Sequence, residues 1–377
     1  MKKIAILVFF TVGFFVHVWA CTGLIAGKQA TVDGSVLVTY SADSHTLYGA
    51  LTSSPAADWP KGSMRSIVEW DTNKPLGEIE QVEHTYAVIG NMNEHQLTVV
   101  ESTWGGRPEL VDTTGIIDYG SLMQLALERA KTAREAIKVM TGLVKKYGYY
   151  SSGESFTIAD PNEAWILDLI GKGPGRRGAV WVAVRIPDDC IAGHANYPRI
   201  HKIPMDDKEN CLYSPDVISF AREMGYFDGL NKDFSFARAY SPADFGALRA
   251  CDARVWSFFR KYDSTMDNYL PYVNGESAEP FPLYVKPSRK LSVQDMKEAM
   301  RDHFEDTPFD MTQDVGAGPF KVPYRFRPMS FEVDGKSYCM ERAIATQQTG
   351  FTLVGQMRNW LPDPVGGVLW FGVDDAN

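Results

Sequence analysis

The chain has 377 residues, 45% hydrophobic and 23% charged, a composition that suits a globular protein able to bury a large core. Its formal net charge of -9 speaks against nucleic-acid binding, which needs a basic face to displace counterions from phosphate. The five cysteines, at 21, 190, 211, 251 and 339, form no CxxC pair and stand at no metal-ligand spacing from a histidine, so neither a metal nor a cofactor is expected.

Residues 1–20, MKKIAILVFFTVGFFVHVWA, carry a Lys2-Lys3 head, an apolar run, and Val18 and Ala20 at the spacing signal peptidase reads. The run is short for a membrane span of roughly 20 residues and contains His17. Export to the periplasm or beyond is expected, with Cys21 first in the mature chain. The junction Val18-Trp19-Ala20-Cys21 also resembles a lipobox, so an outer-membrane lipoprotein lipidated at Cys21 is the competing reading. In an exported chain Cys190, Cys211, Cys251 and Cys339 could form up to two disulfides, with buried free thiols as the alternative.

After Cys21, TGLIAGKQATVDGSVLVTY reads as a hairpin around the turn at Asp33-Gly34. TYAVIG (85–90) and LTVVEST (97–103) continue the strand pattern around a polar turn. Helical periodicity follows between Tyr119 and Tyr147, in two segments. Strands resume in SFTIAD, AWILDLI and VWVAVRI. The glycine-rich 171–178, GKGPGRRG, lacks phosphate-loop spacing and leads into a strand, so it reads as a basic hairpin loop. Residues 200–300 mix helical patterns around 217–224, 242–261 and 293–304 with a proline-rich stretch. SFEVDG, RAIATQQ, GFTLVGQ and GVLWFGV then predict C-terminal strands. Strand-rich blocks flanking helices suggest one layered α+β domain over 21–377, elaborated over about 200–300.

A cysteine at a mature N-terminus is a self-contained catalytic unit. Its α-amine, with an ordinary pKa of roughly 7.7–8.0, can take the thiol proton near neutral pH. Attack on an amide gives a thioester, and the protonated amine returns its proton to the leaving nitrogen.

The segments CTGLIAGKQATVDGS, SADSH (41–45), GNMNEHQ (90–96), ESTWGGR (101–107), GESFTIADPNEAWILDL (153–169), HANYPRI (194–200) and MRNWLPDPVGGVLWFGVDDAN (357–377) together resemble the PepD-type bacterial cysteine dipeptidases. These are N-terminal nucleophile hydrolases related to penicillin V acylases and bile salt hydrolases. The resemblance implies a four-layer αββα fold with Cys21 at the end of a central strand. It also implies an Asp holding the nucleophile's amine, a position Asp43 matches, with a turn carboxylate as the plain alternative. Asn93 and Asn196 are the candidate oxyanion donors, although Asn93 can equally be a turn residue. Arg254 matches an Arg that the acylases keep near the nucleophile, where it lowers the thiol pKa or binds a substrate carboxylate; a surface helix salt bridge is the alternative. Glu101 and Arg107 are weaker candidates for substrate binding, and His95 and His194 are expected to be structural.

Two departures stand out. Tyr40 sits where many relatives carry an Arg, so a cation beside the nucleophile is expected to be missing. The chain also ends at Asn377, where relatives continue into a further segment. The leading expectation is a dipeptidase that holds the substrate's free amino end by carboxylates, taking small peptides as its partners and leaving a homo-oligomer open. Acylase action on N-acyl amides, or a non-enzymatic surface lipoprotein, are the alternatives.

Overall fold

The first hairpin closes as its residues require: Gly34 takes a φ of +85°, and Asp33 Oδ1 accepts the Ser35 backbone N–H at 3.0 Å. It joins strand β1, Thr22–Ala26, to strand β2, Val36–Asp43. The structure, a computed structural model, describes residues 21–44, 48–325 and 330–376, so the expected export signal at 1–20 lies outside the described residues.

β1 pairs with β2 on one side and with Ile191–His194 on the other, and the six-stranded antiparallel sheet is completed by Tyr284–Val285, Thr349–Met357 and Val368–Val373. An eight-stranded sheet holds Thr98–Trp104, Gly153–Ala159, Ala164–Gly171 and Ala179–Ile186 at its centre. The glycine-rich 171–178 is the turn between the last two of these strands, as its sequence predicts.

Side chains alternate across each strand, and both faces of both sheets are covered, which is why these strands read as almost unbroken apolar runs. Ile25, Val36 and Val38 of the first sheet share one apolar cluster with Val100, Ile166 and Val182 of the second. On its other face the first sheet packs Leu24, Leu37 and Val354 against Val255, Trp256 and Phe259 of the helix Ala253–Arg260 and against Met296 of Val293–Met300. The second sheet's outer face packs Val99, Phe156 and Trp165 against helices α1, Tyr119–Arg129, and α2, Ala133–Tyr147. Asp118 and Thr132 cap those helices by accepting the Ser121 and Glu135 backbone N–H groups at 3.1 and 3.3 Å. The architecture is α+β.

Two expected strands are corrected. Over 342–348, RAIATQQ is irregular: the Arg342 side chain turns to Asp43 and the Ala345 N–H goes to the Asp302 carbonyl at 3.1 Å, outside any ladder. TYAVIG is broken into His84–Thr85 and Val88–Ile89, because the Tyr86 N–H goes to Glu128 O and the Ala87 N–H to the Glu94 carboxylate. Cys21, Cys190, Cys211 and Cys251 are free thiols.

Candidate active site

Cys21 directly precedes β1, and its parity with Ile25 turns it into the space between the two sheets, where it is 4% exposed. On the neighbouring strand Tyr40 and Ala42 point to the same face. Across from them, the strand Thr98–Trp104 has a strand partner on one side only as far as Thr98, after which that edge is open. Through this gap the Tyr40 hydroxyl reaches both the Cys21 thiol, at 3.7 Å, and the Glu101 carboxylate. A cavity of ≈ 170 Å³ opens there, lined by Cys21, Tyr40, Asp43, Asp71, Asn91, Glu101 and Tyr119 among others. A larger cavity of ≈ 1050 Å³, bordered by Arg199, His201 and Phe281, has no cysteine, serine or threonine in its lining, so of the two only the smaller offers a thiol.

Asp43 lies in the Cys21 cavity. Its carboxylate accepts the Thr349 hydroxyl at 2.6 Å and a charged bond from Arg342, a buried side chain. Arg342, from a segment that in sequence reads as strand, thus brings a cation to Asp43, while no lysine or arginine lines the cavity itself.

Arg254 is 1% exposed and directs its guanidinium to five acceptors: Ala250 O at 2.8 Å, Cys21 O at 2.9 Å, Thr22 Oγ1 at 2.7 Å, Ala195 O at 3.2 Å and Asn196 Oδ1 at 2.7 Å. Those five bonds match the full donor capacity of a guanidinium. Neither the surface salt bridge nor the capture of a substrate carboxylate fits this arrangement. Arg254 instead ties the backbone of Cys21 to the side chain of Asn196.

Asn196 adopts a φ of +55°, a conformation Asn tolerates better than most residues, just past the strand that ends at His194. Because Arg254 claims Oδ1, the amide orientation is fixed, and one N–H goes to Thr103 O at 2.6 Å. Its loop is anchored by Arg199 on Asp252 at 3.0 Å, both side chains fully buried, and by the Ile200 N–H on Asp168 at 2.9 Å.

Two other expected residues lie elsewhere. Asn93 donates to Leu127 O and Ala130 O, both at 2.8 Å, and accepts the His95 and Leu97 N–H groups; its amide hydrogens close the end of α1, leaving none for an oxyanion. Arg107, like Asn196 and Arg254, is absent from the cavity lining, and among the described residues it has no bond to any that lines it: it donates to Ala239 O at 2.6 Å and stacks 3.7 Å over the Tyr226 ring. His194 bonds Ser102 at 2.6 Å and Thr157 at 2.9 Å, and burial holds its pKa down at about 3, so it is a neutral strut between the sheets. His95 contacts Asp363 at 3.3 Å.

Burial pushes the Cys21 thiol well above its usual range, and the Glu101 and Asp43 carboxylates push the same way. The Asp43 backbone N–H and the Tyr40 hydroxyl pull it back only in part. A thiol in this setting needs a base and gains from any cation that enters. Tyr40 is raised well above its ordinary range by burial and by the nearby Cys21 and Glu101, so it stays a donor. Glu154 lies diagonally from Glu101 on the adjoining strand, since Thr103 pairs with Glu154 and Glu101 with Phe156. Sequence reasoning did not single out Tyr119, Asp71, Glu154 or Arg342. For Glu154 a signal existed, a carboxylate on the apolar face of GESFTIA; for Arg342, 299 residues from Asp43, there was none.

Comparison with known proteins adds a family match and three relatives. The family model of peptidase family C69 matches residues 20–377. A probable dipeptidase of Salmonella dublin is 28% identical, over 77% of this chain and 68% of its own length. Dipeptidase A of Lactobacillus helveticus is 25% identical, over 95% of this chain and 73% of its own, and a probable dipeptidase of Latilactobacillus sakei is 25% identical over 94% and 71%.

Proposed function

The chain belongs to peptidase family C69, and from that premise we propose that it is an exported cysteine-type dipeptidase whose nucleophile is the Cys21 thiol. The observation that carries the assignment is the thiol itself, at the start of a central strand, lining a small cavity shared with Tyr40, Asp43 and Glu101. Removal of 1–20 gives Cys21 a free α-amine, which the Asp43 carboxylate orients. The amine takes the Sγ proton, and Sγ bonds to the scissile carbonyl carbon. Asn196 donates to the oxygen that becomes negative, while Arg254 keeps that amide and the Cys21 backbone in register. The C–N bond then breaks, the leaving nitrogen takes the proton back, and water hydrolyses the thioester.

The burial of Cys21 supports a free thiol over one bearing lipid chains. Among the described residues no helix is long and apolar enough to cross a membrane, and the charged head and apolar run of 1–20 support export. The three apolar clusters, one between the sheets and one outside each, support the four-layer αββα sandwich.

A panel of dipeptides, incubated under reductant with protein beginning at Cys21 and with its Cys21→Ala variant, tests the reading. Wild type is expected to cleave and the variant to lose activity by on the order of 10⁴-fold or more. Equal cleavage by both would remove Cys21 from the mechanism.

A further inference from the structure

The lining of the cavity at Cys21 carries acidic side chains and no basic one. Asp43, Asp71 and Glu101 line it, and no lysine or arginine does; only Asp43 is matched, by Arg342 from behind. Glu101 is 2% exposed. Its Oε1 accepts the Tyr40 hydroxyl, while Oε2 is buried where only a neighbour that carries a proton, Glu154 or the Cys21 thiol, can donate to it. Behind it Glu154 is fully buried, with Oε1 accepting the Thr103 hydroxyl at 2.6 Å and Oε2 without a donor. Two carboxylates cannot both remain charged and unpaired in such a place.

We propose that Glu101 and Glu154 form the receptor for the substrate's α-ammonium group, Glu101 as the carboxylate that meets it and Glu154 as the protonated carboxyl that holds Glu101 from behind. The inference rests on the dipeptidase reading and names the group that selects its substrate.

Geometry favours the ammonium as the missing cation. In a peptide the α-nitrogen lies roughly 2.5 Å from the first carbonyl carbon, two bonds away. A carboxylate that shares the Tyr40 hydroxyl with the nucleophile is therefore one small group away from the bond to be broken. Burial and the neighbouring Glu101 charge push Glu154 well above the carboxylate range, whereas hydrogen bonds from Tyr40, Glu154 and Cys21 offset part of the rise at Glu101. The proton of the pair accordingly resides on Glu154. The other titratable groups facing Glu101 are Cys21 and Tyr40 from the first sheet, Asp71 from the loop after residue 68, Tyr119 from α1 and Tyr149 just after α2. None brings positive charge. Docking the ammonium also neutralises the Glu101 charge that resists thiolate formation, so a substrate with a free amino end helps to activate the nucleophile that cleaves it. Glu154 is a positioning residue in this scheme, acting through Glu101.

The test uses one dipeptide, its N-acetyl derivative and its des-amino analogue, with wild-type protein starting at Cys21 and with Glu101→Gln, Glu154→Gln and Glu154→Leu. Wild type is expected to cleave the dipeptide about 10- to 100-fold better, in kcat/KM, than either analogue. Glu101→Gln should lose the preference for the dipeptide, cleaving it no better than the des-amino analogue. Glu154→Leu should raise KM for the dipeptide, and Glu154→Gln, which keeps a donor toward Glu101, should restore it. Equal wild-type cleavage of all three compounds, or undiminished discrimination in Glu101→Gln, would overturn the receptor and leave the dipeptidase reading standing. Cleavage of the acylated compounds alone would overturn that reading itself. The wild-type comparison decides even where a variant fails to fold.

Discussion

Arg254 explains how one buried cation serves two parts of the site without touching substrate. Its five bonds link the Cys21 carbonyl, the Thr22 hydroxyl and the Asn196 amide, so nucleophile and proposed oxyanion donor move as a unit. If Asn196 stabilises the tetrahedral oxygen, Asn196→Ala should lower kcat on the order of 10²- to 10³-fold with little change in KM; steady-state kinetics on one dipeptide checks this, and an unchanged kcat would remove Asn196 from the reaction. At this scale the sequence was informative where chemistry is local. Cys21 is singled out by its place after a signal-like segment and Asp43 by the motif around it, and the two line one cavity. Asn93 was misread because a motif cannot tell which carbonyls an amide will find, here those of Leu127 and Ala130 at the end of a helix. Arg254 was singled out while its task stayed hidden, since four of its five acceptors come from residues 21, 22, 195 and 196.

Among the elements, β1 is the one on which the site depends. Gly23 faces His194 across the ladder, and a Cβ at Gly23 would come within 2.9 Å of the imidazole Cε1 and Nε2. The ring has nowhere to retreat, being held by Ser102 on one side and Thr157 on the other. Gly23→Ala should therefore cost about 1–3 kcal/mol of stability, read as a lowered urea midpoint, and should weaken activity through displacement of Cys21. Elements with a strong period were legible: the first hairpin, both amphipathic helices and the central strands of the larger sheet appear where the pattern puts them. RAIATQQ failed because β-propensity in 342–348 is overridden by tertiary partners, the Arg342 side chain going to Asp43 and the Ala345 N–H to Asp302.

Over the whole molecule, buried titratable groups tie stability to pH. His194, with a folded pKa of about 3, lies below its ordinary value near 6.5, so its contribution is complete above pH 6.5 and is lost as pH falls toward 3. By pH 4 that loss is roughly 3 kcal/mol. Asp168 runs the opposite way: burial raises it to about 6, so its contribution is present below its ordinary pKa and lost as pH rises through about 6. His194→Gln should lower stability at pH 7 and shrink the difference between pH 7 and pH 4, as measured by urea unfolding at the two values. An unchanged difference would mean that His194 does not carry the acid sensitivity.

All of this converges on a covalent event at one sulfur. The most direct measurement is intact mass of protein beginning at Cys21, quenched in acid during turnover of a dipeptide, followed by peptide mapping. The account predicts a mass increase equal to the substrate's first residue, localised to Cys21, labile to hydroxylamine and absent from Cys21→Ala. Turnover by the wild type with an adduct on another residue, or with the Cys21→Ala variant equally active, would contradict it.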